Sequence, residues 1–236
     1  MYGYIHSYQS MATMDGPGIR FMVFLQGCPL RCAYCHNPDT WDPKGYAIKA
    51  TPQEVLERIL RYKGYFGSQG GLTVSGGEAL CQAEFVKELF ILCQEQRVHT
   101  CLDTSGCTLN DEVYELLDVT EQVLLDIKMT TEALYQDYVG TSLEKVLDFL
   151  DVLEEKQIET WVRHVVVPGF NDIEENVAAL KEIIKSYSCI SRTELLPFRK
   201  LCKEKYEKMR IEFPFVKYEE GTRQMVQRLT EYMKEI

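Results

Sequence analysis

From residue 20 onward, short apolar runs alternate with longer stretches of helical periodicity, and no other feature of the sequence limits the fold so strongly. RFMVFLQ (20–26), LTVS (72–75), HTCLD (99–103), VLLDIK (123–128), ETWVRHVVV (159–167) and RTELLPF (192–198) have the length and apolar content of buried strands. Between the first two, TPQEVLERILRY reads as a helix with Thr51 as cap, Pro52 in first position and Glu54 completing a capping box. Helical patterns follow over 82–96, near 111–117, up to about residue 157, and in NVAALKEIIKSY, which Asp172 and Glu175 open. The last segment, RQMVQRLTEYMKEI, puts Val226, Leu229 and Met233 on one face. Apolar strands separated by such helices require a parallel sheet with helices packed over it. About six such units in 236 residues, with no linker, repeat or low-complexity stretch, predict an α/β fold: a single domain, 1–236, shaped as a partial (β/α)6 TIM-like barrel.

Barrel enzymes gather their chemistry at the C-terminal ends of the strands. Here the loop GCPLRCAYCHNPDTW (27–41) follows the first strand and SGGE the second, while DTSG closes the third. Asp126 and Lys128 close the fourth, Arg163 and His164 lie in the fifth, and LLPF ends the sixth. One face of a barrel would collect all of them.

A formal net charge of −10 argues against a partner recognised through its phosphates, so no nucleic acid is expected. The N-terminus has no basic leader and no apolar stretch reaches membrane length, so the expectation is a cytoplasmic protein with no membrane segment. Nine cysteines in that compartment point to metal or redox chemistry rather than disulfides. Only Cys28, Cys32 and Cys35 are clustered. Cys93 and Cys101 fall within helical and strand patterns as small core residues, and Cys81, Cys107, Cys189 and Cys202 stand alone.

Three thiols spaced C-x3-C-x2-C leave two readings open. Structural zinc takes four ligands, and the nearest fourth is His36, whose adjacency to Cys35 would strain a shared tetrahedral site; the chain would then be a protein-binding module. A four-iron cluster normally takes four cysteines, so three leave one iron free for a substrate or cofactor. The spacing favours the second reading.

The run GCPLRCAYCHN, with Tyr34 completing C-x3-C-x-aromatic-C, resembles the radical S-adenosylmethionine (SAM) enzymes. DGPGIR (15–20), CAYCHNPDTW, VSGGEAL (74–80), HTCLDTSG (99–106), LLDIK, VVVPGFND and ELLPF recur in the order found in the branch of that family that activates glycyl-radical enzymes. The resemblance runs from about residue 3 to the C-terminus. It implies a barrel of the radical SAM type, a [4Fe-4S] cluster on Cys28, Cys32 and Cys35, and SAM held at the open iron. It implies reductive cleavage of SAM to methionine and a 5′-deoxyadenosyl radical, which abstracts a glycine Cα hydrogen on a partner. That partner is a glycyl-radical enzyme, foremost pyruvate formate-lyase, with the activase of another such enzyme as runner-up.

By the same resemblance, Gly76, Gly77 and Glu78 receive the SAM ammonium, and Asp126, Lys128 and Arg163 surround its ribose and carboxylate. Tyr34, His36, Asn37, Val165 and Leu196 line the adenine pocket. Asp103 and Thr104 match a monovalent-cation site, where oxygen ligands suit a hard cation. Asp15 meets the partner's glycine loop, and Asp15, Lys128 and Arg163 form the catalytic set. An electron donor such as flavodoxin and a monomeric state are also implied. Larger activases carry an inserted ferredoxin-like domain, but no cysteine-rich run lies between Cys35 and Cys81. After ELLP, Phe198-Arg199 stands where the family usually has Tyr-His, and Cys202 where Gly is common. That leaves Arg199 to stack on adenine, to reach a carboxylate, or to mark a different partner preference. Ordinary roles compete throughout: Lys128 as a solvated strand end, His36 as a loop residue, Leu196 as core and Asp15 as a turn residue.

Overall fold

In the computed structural model, which describes residues 1–235, the chain opens with a strand, β1 (Gly3–Ala12), that turns back through residues 13–19 into β2 (Arg20–Leu25). After the cysteine loop come β3 (Ile48–Ala50), α1 (Pro52–Leu60), β4 (Gly71–Gly76), α2 (Ala83–Glu95), β5 (His99–Thr104), α3 (Asp111–Leu117) and β6 (Gln122–Asp126). Then follow α4 (Glu132–Tyr138), α5 (Leu143–Glu155), β7 (Glu159–Val166), α6 (Glu174–Ile184), β8 (Ile190–Pro197), α7 (Lys203–Met209) and α8 (Arg223–Glu235). The strands form one 8-stranded sheet in the order β3-β1-β2-β4-β5-β6-β7-β8. Every pairing from β2 through β8 is parallel, and β1 runs antiparallel to both β2 and β3. The parallel strands with their helices are the partial TIM-like barrel expected from the alternation. β1 and β3 are an addition to it.

Local chemistry sets the helix starts. The Thr51 hydroxyl accepts the Glu54 amide at 3.2 Å while the Glu54 carboxylate accepts the Thr51 amide at 2.7 Å, the reciprocal capping box read from the sequence. Asn110, Thr131 and Ser142 cap α3, α4 and α5 with the one-way bond alone, each side chain accepting the amide three residues on.

Strand alternation then divides the residues between two surfaces. Val123 and Leu125 of β6 and Val162 and Val166 of β7 join one core with Phe149, Leu150 and Leu153 of α5, and all are fully buried. Each such Val or Leu contributes about 1.5–3 kcal/mol. The intervening residues share the opposite face, in register across neighbouring strands: Asp126 beside Arg163, and Val165 beside Leu196. That opposite face carries the polar groups.

His164 belongs to the helix-facing set and is a structural residue. Its Nδ1–H donates to the Ile127 carbonyl at 2.7 Å, and Nε2 accepts from Asn176 at 3.0 Å and Asn171 at 3.3 Å. These partners fix a neutral ring, and burial holds its pKa below the ordinary 6.5. Below about pH 6.5 the unfolded chain therefore binds a proton that the folded chain refuses, and stability falls with falling pH by up to about 1.4 kcal/mol per unit. Urea denaturation at about pH 7.5 and about pH 5.5 should give a lower midpoint at the acidic value, with a smaller difference in His164→Gln. An equal difference in the variant would assign the acid sensitivity to other groups.

Candidate active site

The cysteine loop is anchored by its backbone. Gly27 N donates to Thr40 O at 2.7 Å and Cys28 N to Trp41 O at 3.3 Å, closing the loop at its ends. Arg31 N and Ala33 N donate to Val139 O and Tyr138 O at 3.0 and 2.8 Å, joining the loop to the end of α4. The Tyr34 hydroxyl donates to the Lys128 carbonyl at 3.0 Å, which joins it to the end of β6. Gln26, at the end of the first apolar run, donates its amide to Asp42 O at 2.6 Å and Asp39 O at 3.1 Å.

Cys28, Cys32 and Cys35 are all free and part-buried. Burial pushes each thiol up, Cys32 to about 12 against the opposing pull of Lys128. The sulfurs also act on one another, Cys35 raising Cys32 and both raising Cys28, so they share one neighbourhood. The Asn37 amide donates to Cys35 Sγ at 3.4 Å. Three adjacent unpaired thiols, one already receiving an N–H···S bond, fit the donor set of an iron–sulfur cluster, which binds them as thiolates. Among the described residues, no three His, Cys, Asp or Glu side chains are grouped as one metal ion would need. His36 commits Nε2–H to the Arg199 carbonyl at 2.8 Å.

The SGGE loop lies directly on the start of the cysteine loop. Gly77 N donates to Leu25 O and Glu78 N to Gly27 O, both at 2.9 Å. A Cβ on Gly76, whose φ is +122°, would fall 2.1 Å from Leu25 N, and one on Gly77 would fall 2.2 Å from Gly27 O. Only glycine permits two backbones this close. The carboxylate of Glu78 is buried and used locally. One oxygen accepts from the Thr104 hydroxyl at 2.5 Å and the Leu80 amide at 3.1 Å; the other accepts from the Ser105 amide at 3.0 Å and its hydroxyl at 2.5 Å. Glu78 thus ties the ends of β4 and β5 together.

A chain of charges crosses the ends of β5, β6 and β7. Arg163 is buried, donates from Nε to Asp126 at 2.9 Å and pairs through a terminal nitrogen with Asp103. Lys128 Nζ contacts the other Asp126 oxygen at 2.5 Å, and the Ser75 hydroxyl donates to Asp103 at 2.6 Å. Burial would raise Asp126, but Arg163 and Lys128 outweigh it and hold the carboxyl at about 2. At Asp103 burial prevails over the pull of Arg163 and pushes the carboxyl up to about 6. Asp15, also pushed up by burial, lies within electrostatic reach of Arg163 and Asp126. Two cations among three carboxylates give the site both signs of charge, as binding a zwitterionic amino-acid group requires.

The remaining expected residues border this network. Val165 and Leu196 are half-buried register neighbours at its apolar edge. The ring of Tyr34 is buried against Phe215, 5.8 Å between centroids, within an aromatic cluster that includes Tyr138, Phe170, Phe198 and Tyr218. Asn37 accepts from Lys205 at 2.8 Å, and Lys205 also holds Asp39 at 2.9 Å, which docks α7 on the cysteine loop. Arg199 donates to the Gly221 carbonyl at 3.0 Å and lies 3.8 Å from Glu220, both on the C-terminal segment. Sequence reasoning missed Ser75, Ser105, Gln26 and Lys205. Ser75, Ser105 and Gln26 lie within or beside motifs and Lys205 does not, and the partners of all four come from distant segments of the chain.

The sequence matches the Radical SAM superfamily over residues 22–180. It is 43% identical over 235 residues to the pyruvate formate-lyase-activating enzyme of Clostridium pasteurianum, covering 99% of this chain and 98% of that one. It is 42% identical over 214 residues to the pyruvate formate-lyase 1-activating enzyme of Escherichia coli K12, covering 89% and 87%. Among solved structures, a domain of pyruvate-formate lyase-activating enzyme from Bacteroides vulgatus superposes with a TM-score of 0.58 at 22% identity, over 70% of this chain and 94% of that one. SuiB of Streptococcus suis bound to S-adenosylmethionine superposes at 0.66 with 16% identity, over 88% and 45%. These two similarities concern the fold.

Proposed function

The chain belongs to the radical SAM superfamily and, within it, to the pyruvate formate-lyase-activating enzymes, and from that membership we propose how its own residues divide the work. When bound, the family's [4Fe-4S] cluster and SAM supply the 5′-deoxyadenosyl radical that takes a Cα hydrogen from one glycine of pyruvate formate-lyase, leaving a glycyl radical there. Cys28, Cys32 and Cys35 hold the cluster. Lys128 and Arg163 meet the carboxylate and ribose of SAM, with Asp126 orienting both cations. Gly76 and Gly77, fixed by Glu78, offer the backbone that receives the ammonium. Tyr34, His36, Asn37, Val165 and Leu196 form the adenine side, and Asp15 meets the partner's glycine loop. A monovalent cation beside Asp103 and Thr104 is part of the proposal, as are a donor such as flavodoxin and a monomeric state.

One observation carries this reading. Lys128 joins the cysteine loop through its carbonyl, which accepts from Tyr34, and the charge network through Nζ, which contacts Asp126. Thiols and charges therefore meet at one barrel end. A cytoplasmic location is supported by cysteines that are all free. No helix among the described residues is long and apolar enough to cross a membrane.

The test is anaerobic reconstitution with iron and sulfide, reduction, and addition of SAM with Clostridium pasteurianum pyruvate formate-lyase. The expected result is a glycyl-radical doublet by electron spin resonance. A doublet only on a different glycyl-radical enzyme would replace the partner; absence of 5′-deoxyadenosine altogether would overturn the assignment.

A further inference from the structure

Arg20 is among the largest fully buried side chains, at 0% exposure, and among the described residues it has no carboxylate within salt-bridge distance. A buried guanidinium has to be satisfied by other groups. Its donors fan out to three segments: the loop before β2 through Pro17 O at 3.4 Å, the entry to β4 through Gln69 O at 3.3 Å and Leu72 O, and the start of β5 through His99 Nδ1 at 3.1 Å. Its Nε donates to the Thr73 hydroxyl at 2.9 Å, and that hydroxyl donates onward to the Asp15 carbonyl at 2.7 Å. The direction is fixed, because Nε can only donate and a carbonyl can only accept.

The loop carrying Asp15 rests on this pair. A Cβ on Gly16, whose φ is +121°, would lie 3.4 Å from Arg20 Nε, 3.5 Å from Thr73 Oγ1 and 3.6 Å from Cys101 Sγ. At the loop's base Gly71 N donates to Ile19 O at 3.0 Å, and a Cβ on Gly18 would fall 2.5 Å from Gly70 N. Met14, one residue before Asp15, is 76% exposed. The loop is thus fixed from beneath and open above.

We propose that Arg20 and Thr73 are positioning residues for partner recognition: through one ordered hydroxyl they hold the Asp15 backbone so that its side chain faces the charge network where the partner's glycine segment must arrive. This rests on the role given to Asp15 above. Neither residue touches the three clustered thiols or hydrogen-bonds the Asp103–Arg163–Asp126–Lys128 chain, so their loss should leave SAM cleavage without partner near the parent level.

Thr73→Val keeps the shape and removes both hydrogen bonds, whereas Thr73→Ser keeps the hydroxyl. With reconstituted holoenzyme and Clostridium pasteurianum pyruvate formate-lyase, Thr73→Val should raise the half-saturating partner concentration for glycyl-radical formation about tenfold. Uncoupled 5′-deoxyadenosine production should stay within about twofold, and binding of a labelled peptide carrying the radical-site glycine should weaken in parallel with the partner effect. Thr73→Ser should behave as the parent. If Asp15→Asn weakens partner binding and Thr73→Val does not, the positioning proposal fails and the role of Asp15 stands. If neither weakens it, the Asp15 reading fails and this proposal with it. If Thr73→Val lowers uncoupled SAM cleavage as much as radical transfer, or Thr73→Ser does not rescue, the hydroxyl is merely structural and the proposal is overturned.

Discussion

Cys32→Ala should yield a folded protein that binds no stable cluster and forms no detectable glycyl radical. The fold should survive because the loop around Cys32 is anchored by its neighbours: the Arg31 and Ala33 amides on α4, and the Tyr34 hydroxyl on Lys128 O. None of those bonds uses the sulfur. Removing a part-buried thiol with no disulfide partner leaves a small gap, and the cost should remain near the typical ~1 kcal/mol of a point mutation. Activity has no such reserve. On the proposed ligand set, two thiolates cannot hold a cluster that three would already leave one iron short, so radical yield should fall by at least about 10³-fold, equivalent to more than about 4 kcal/mol. The measurements are iron content, charge-transfer absorption and the spin-resonance doublet, with a thermal melt as the folding control. Cys202→Ala is the comparison, since Cys202 is buried close enough to Cys35 to feel its charge without belonging to the triad. A parent-level doublet from Cys32→Ala would remove Cys32 from the ligand set.

That triad was legible in the sequence because its spacing is local, and the barrel was legible because buried parallel strands and capped helices each carry their own pattern. β1 and β3 were not. β1 reads GYIHSYQSMA with half-buried residues through its middle and no strict alternation, and β3 is three residues long. Strands near a sheet edge bury less, so their sequence is less constrained. The site shows the same division. Motifs named Glu78, Asp103 and Arg163, but the register of β4, β5, β6 and β7 decides that Glu78 spends its oxygens on Thr104 and Ser105 while Arg163 spans Asp103 and Asp126. Phe198 is a further instance. The departure from the usual Tyr-His pair reads as a loss at the adenine wall; in three dimensions Phe198 is fully buried against Phe213 and Phe215, and Arg199 turns toward Gly221.

Arg163→Met should be the most damaging change to the fold within the charge network. Arg163 is 8% exposed and neutralises two carboxylates at once; methionine fills much of its volume and supplies no charge. Asp126 would keep Lys128, but Asp103 would keep only the Ser75 hydroxyl. Leaving a buried carboxylate unpaired costs about 3–5 kcal/mol, unless the carboxyl takes up a proton instead. Asp103 is already pushed up to about 6 by burial, and loss of Arg163 would raise it further. A group whose folded pKa lies above its unfolded value loses its contribution as pH rises through the folded value. The destabilisation relative to the parent should therefore grow from about pH 6 to about pH 8. Adding Asp103→Asn removes the orphaned charge, so the double variant should be more stable than Arg163→Met alone at the upper pH, a coupling readable from a double-mutant cycle. Activity should not return with it, because the cation proposed to meet the SAM carboxylate is still missing, and a loss of at least about 100-fold is expected. If Arg163→Met unfolds within about 0.5 kcal/mol of the parent at both pH values, the three side chains do not act as one unit.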